Sequence, residues 1–111
     1  MANTFTSAAT GSNTSITTLY TCPSATTAVV HAVYLSNKDG TNDANISLSG
    51  SGSANFQTRR YLLKTVDVPA DSTVVVEKPI NLGVGDKLET QASADNDIDV
   101  FASILLSLIH I

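Results

Sequence analysis

The sequence predicts an all-β fold, a single antiparallel β-sandwich of jelly-roll or immunoglobulin-like type with about eight strands. Three observations carry that expectation. β-Branched Val, Ile and Thr dominate, and no stretch repeats apolar residues at i, i+3, i+4, i+7 through three helical turns. Runs of β-formers alternate with clusters of Gly, Asp, Asn, Ser and Pro, as strands and turns of an antiparallel sheet require. The single cysteine, Cys22, excludes an internal disulfide framework, and no Cys/His cluster offers a structural zinc site. One domain spanning residues 1–111 must therefore hold together by its core alone.

Each strand has its own signal. "NTFTSAA" (3–9) reads as the first strand, and residues 1–15 can equally be an extended N-terminal arm that adds a strand to a neighbour. "SITTLYT" (15–21) is the second. "AVVHAVYLSN" (28–37) places Val29, His31, Val33 and Leu35 on one face and Val30, Ala32 and Tyr34 on the other. With both faces largely apolar, it should be a central strand. Asp39-Gly40 favours a tight hairpin turn, after which Ile46 and Leu48 point inward and Ser47 and Ser49 outward. "SGSGSAN" (49–55) is expected to be a polar surface loop that does not pack. "RRYLLKTVDV" (59–68) is a strand, joined to the next through a hairpin at Pro69 and Asp71-Ser72. In "DKLETQAS", Leu88, Thr90 and Ala92 face in while Lys87, Glu89, Gln91 and Ser93 face out.

Charge limits the partners. A formal net charge of −4 and a pI near 4.7 give no basic field for phosphates, so neither nucleic acid nor a membrane surface is an expected partner. No segment approaches the ~20 apolar residues of a transmembrane helix, and the N-terminus lacks a basic region followed by an apolar run. Synthesis in a cytoplasm is the expectation.

Chemical motifs are sparse. Asp95, Asp97 and Asp99 alternate and could face a calcium ion together, but the Gly and Glu of an EF-hand loop are missing, and a solvated loop explains them better. His31 lies within an apolar strand and His110 beside the C-terminus, with no nucleophile elbow or metalloprotease motif. Gly83 and Gly85 echo a phosphate loop without its third glycine or its helix, so a hairpin turn is expected there. Cys22 is read as a bystander thiol. Arg59 and Arg60 should point to opposite faces, one of them into a subunit contact. The chain is expected to be no enzyme and to bind no cofactor or metal.

The informative stretch is the last one, "IDVFASILLSLIHI" (98–111). Ile98, Val100, Ala102, Ile104, Leu106 and Leu108 share the face a core strand turns inward. The opposite face carries Phe101, Leu105 and Ile109, where a solitary sandwich would place polar groups. These three are the expected oligomer interface.

Two blocks, "TTLYTCPSATTAVVHAVYLSN" (17–37) and "VPADSTVVVEKPINLGVGDKLETQASADNDIDVFASIL" (68–105), carry a resemblance. They resemble small virion structural proteins of tailed bacteriophages, especially phages of marine cyanobacteria. The resemblance implies a β-sandwich that joins the particle as a head decoration or cement protein, assembling as a homotrimer and contacting the major capsid protein or other virion proteins. Its implied location is the virion, assembled in the bacterial host's cytoplasm. The alternative is a tail or tail-fibre accessory module that binds a host receptor or glycan through loops 38–45, 49–55 and 94–97.

Overall fold

The computed structural model of the chain describes residues 3–108. Among these residues nine strands follow one another: β1 (Asn3–Gly11), β2 (Thr17–Thr21), β3 (Thr26–Asn37), β4 (Ala44–Ser51), β5 (Arg60–Val68), β6 (Thr73–Val76), β7 (Ile80–Leu82), β8 (Lys87–Ala92) and β9 (Ile98–Leu108). All pairings are antiparallel. Sheet A runs β1-β9-β3-β6, with β7 continuing along the same edge of β3, and sheet B runs β2-β8-β4-β5. β5 follows β4 as its hairpin partner, and outward from it β3 meets β6 and β7, β2 meets β8, and β1 meets β9. A long antiparallel ribbon has thus been rolled so that its alternate turns form two sheets. That is the jelly-roll arrangement, and it decides between the two sandwich types the sequence left open.

The expected strands 59–68 and 86–93 appear with small changes at their ends, and one expected strand after Pro69 is split. Glu77, Lys78 and Pro79 interrupt it, since proline lacks the N–H that a ladder needs, leaving β6 and β7.

The core forms where the sheets face one another. Ile46 and Leu48 of β4, Leu88 of β8 and Val68 of β5 pack from sheet B, against Val30, Val33 and Leu35 of β3 and Ile98, Val100, Ala102 and Ile104 of β9 from sheet A. The inward side chains of β8 are as the alternation predicts. Glu89 is different, being buried although it faces away from the core. Ser51, the last residue of β4, and Arg59, just before β5, close over it. Ser51 Oγ donates to Glu89 Oε1 at 2.7 Å, and Arg59 Nη2 donates to the same oxygen at 3.0 Å. Arg59 is therefore paired inside its own chain and lies just before β5.

β3 is central, as expected, but its two faces are not those expected. Against β9 the register slips between Val30 and Ala32, so His31 has no partner across the ladder. This β-bulge turns His31 outward and changes the phase, so that Ala28 and Val30 before it and Val33 and Leu35 after it all face the core.

Two expected hairpins are crossovers. β3 and β6 belong to sheet A, while β4 and β5 belong to sheet B, so both the Asp39-Gly40 and the Asp71-Ser72 connections cross between sheets. They hold each other, Asp71 N donating to Asp39 O at 3.2 Å and Ala70 N to Asp43 Oδ1 at 2.9 Å. Beneath them Asn37 is buried, donating from Nδ2 to the carbonyls of Asn42 and Val68 and accepting from Asp39 N. The turn at Gly83 and Gly85 likewise passes from sheet A to sheet B rather than closing a hairpin.

The Ser/Gly stretch also packs. Ser49 and Gly50 are buried residues of β4, and the Phe56 ring lies against the Gly50 backbone. A Cβ on Gly50 would stand 2.3 Å from Phe56 Cζ, so only glycine leaves room for the ring to plug this end of the sandwich. Asp86, fully buried, ties the same loop down. Its carboxylate accepts from Ala54 N (3.2 Å), Asn55 N (3.0 Å) and Gly83 N (3.0 Å). Its backbone joins the loop after β2, Cys22 N donating to Asp86 O at 2.8 Å.

Candidate assembly face

Sheet A turns one surface to the core and the other outward. Strand register decides which outward side chains become neighbours. Between β1 and β9, Phe5 stands opposite Leu105 and Ala9 opposite Phe101. Between β9 and β3, Leu105 stands opposite Val29 and Phe101 opposite Tyr34. β6 adds Val75 opposite Tyr34.

Two apolar rows therefore cross the sheet, Phe5-Leu105-Val29 and Ala9-Phe101-Tyr34-Val75. Between them lies a row of small residues, Ser7-Ser103-Ala32. Rings meet on this face, with Tyr34 and Phe101 centroids 6.3 Å apart along the second row and Phe5 at the same distance from His31, which stands outside both rows. Phe5 is 77% exposed, Phe101 45% and Tyr34 42%. Such a cluster on one face is larger than the scattered apolar side chains that need no explanation. Beside the second row a groove of about 400 Å³ opens between Ala9, Tyr34, Ser36 and Phe101.

Of the residues the sequence singles out, Phe101 is exposed and Leu105 half-buried on this face, and Ile109 lies outside the described residues. Phe5, Val29, Tyr34 and Val75 escape the sequence reading. Each lies on a strand, but only the strand order brings them to one surface.

The other candidates disperse. Asp95 Oδ1 accepts from Thr14 N and Thr14 Oγ1 at 3.0 and 3.1 Å, Asp97 uses its carbonyl to accept from Lys38 N, and Asp99 pairs with Lys38 Nζ at 3.1 Å. Among the described residues no group of three or more His, Cys, Asp or Glu is placed to hold a metal ion. His31 is exposed beside Phe5, and His110 lies outside the described residues. The Cys22 thiol is buried and donates to Thr26 O at 3.2 Å. Burial, with the nearby Asp86 carboxylate adding to it, pushes its pKa up, the opposite of what a nucleophilic thiolate requires. A polar depression of about 240 Å³ on sheet B is lined by Asn45, Ser47, Lys64 and Gln91 among others. Its groups already serve the fold, since Ser47 Oγ accepts from Thr65 N and Gln91 Nε2 donates to Thr14 O.

No protein-family model and no curated protein matches this chain. Two solved structures are similar to it. A chain of the disulfide-linked pili that form Bacillus endospore appendages is 14% identical, with a TM-score of 0.54 over 98% of this chain and 88% of that one. A chain of the T13 viral particle of IBDV is 12% identical, with a TM-score of 0.55 over 97% of this chain and 31% of that one. At these identities the likeness is one of fold.

Proposed function

We propose that this chain is a non-enzymatic structural protein of a virus particle, a decoration or cement protein on the head of a tailed bacteriophage that associates with its own copies and binds the capsid lattice. One observation carries the reading. A side of the sandwich that a solitary domain would give to water instead holds two rows of apolar side chains, centred on Phe101 and Leu105. Burying Phe5, Phe101 and Tyr34 at about 1.5–2 kcal/mol each would offset much of the cost of association.

The fold likeness to a chain of a viral particle and to a chain of pili supports the reading in kind, because both come from assemblies of repeated subunits. The three loops of the fibre alternative favour it less. Loops 38–45 and 94–97 meet at one end of the sandwich, where Lys38 N donates to Asp97 O, whereas loop 49–55 sits at the other end with Asp86, so the three do not form one contact surface.

The test is the protein's place on the particle. Antibody labelling of intact phage in the electron microscope should mark the head in many copies. Label confined to tails or fibres would transfer the assignment to receptor binding, and virions free of the protein would end both.

A further inference from the structure

Sheet edges are the sites at which β-proteins extend into one another, and natural chains protect edges that must stay single. Each edge of this sandwich except one is protected. β2 is five residues long and bulged between Thr18 and Tyr20. β5 carries Arg60, Lys64 and Asp67, slips register twice against β4, and holds Thr65 at a φ of 54°. The β6–β7 edge is broken by Glu77, Lys78 and Pro79. β1 has none of these devices. Its nine residues, NTFTSAATG, contain no charge and no proline, and they pair with β9 without a slip from Asn3 to Gly11.

We propose that the free edge of β1 pairs antiparallel with β1 of a second copy, about a two-fold axis passing through Ser7. The sequence of β1 is complementary to itself in that register. Ser7 meets Ser7 of the partner subunit, and Phe5 meets the partner subunit's Ala9, so every pair joins like faces of the two sheets. The consequence for the assembly face is specific. The row Val29-Leu105-Phe5 of one copy runs on into the row Ala9-Phe101-Tyr34-Val75 of the other, and the reverse holds across the axis. Both apolar rows become continuous over a single sheet that spans two subunits. Phe5, the most exposed large apolar side chain described, then lies between Leu105 and a small residue. Isologous contacts of this kind are the commonest in soluble oligomers.

The inference deepens the assembly reading by naming the occupant and the symmetry, and its test is separate from that reading. Cα atoms directly opposite in antiparallel pairs are about 4.5–5.5 Å apart, within the span of a disulfide. Under mild oxidation Ser7→Cys should therefore give a covalent dimer, while the wild type, whose Cys22 is buried, and Thr18→Cys on the β2 edge should not. Ser7→Lys places like charges face to face and should weaken the dimer at least about tenfold, and mixing it with Ser7→Asp should restore pairing as a heterodimer. Circular dichroism melts confirm that each variant folds. Absence of the cross-link, with the oligomer unchanged by Ser7→Lys, would overturn the β1 contact and leave the face reading standing. A cross-link that persists in Ser7→Cys combined with Phe101→Asp would support the edge contact even where the face plays no part.

Discussion

Asp86 shows how much a single side chain holds here. It is fully buried, and its carboxylate accepts three backbone N–H groups from two loops. Asp86→Ala strands those donors and should cost about 3–5 kcal/mol, a large part of the stability of a domain this size, as measured by urea unfolding. Gly50→Ala acts nearby by sterics alone. Its methyl would press on the Phe56 ring, and the expected loss is about 1–3 kcal/mol, with Gly50→Ala in a Phe56→Leu background recovering part of it. Cys22 supplies a pH dependence. Its raised pKa means that the folded state holds the thiol proton more tightly than the unfolded state does, so this contribution is present below about pH 8.5 and is lost as pH rises through the folded value. Stability should decline in mild alkali, and Cys22→Ala should flatten that decline. Tyr20, also raised by burial, acts in the same direction at higher pH.

At the scale of the element, the bulge at His31 is the most instructive feature. Because His31 is the extra residue opposite β9, deleting it keeps Val30 and Val33 on the core face, and the shortened chain should still melt cooperatively, losing about 1–3 kcal/mol. Deleting Ser103 from β9, which pairs with β1 without a slip, should turn Ile104 outward and abolish the cooperative melt. The bulge also marks the boundary of what the sequence discloses. Alternation in 87–93 and 98–107 is legible because each of those stretches keeps one phase. In 28–37 both faces are apolar, so nothing in the composition marks the residue at which the phase changes. The two crossovers are illegible for a related reason. Asp39-Gly40 and Asp71-Ser72 are real turns, but local propensity reports that the chain turns, and only sheet packing decides which sheet it enters next. The Ser/Gly stretch misleads because its glycines make room for Phe56, which folds back from just beyond it, and for Asp86, which lies far along the chain, and composition reports neither approach.

For the whole molecule, the rolled ribbon explains why so apolar a terminal strand is tolerated. β9 lies in the interior of sheet A between β1 and β3, and its inner side chains from Ile98 to Ile104 form the middle of the core. Its outer side chains gather with those of β1, β3 and β6 into the two rows, and the central claim is that another protein surface, first of all a copy of this chain, covers them. Sedimentation velocity of the wild type beside Phe101→Asp and Leu105→Asp at micromolar concentration tests this most directly. The account predicts a closed oligomer for the wild type, with each variant shifted to smaller species while its circular dichroism melt is retained. A wild type that sediments as a monomer, or as the same oligomer as both variants, would contradict it.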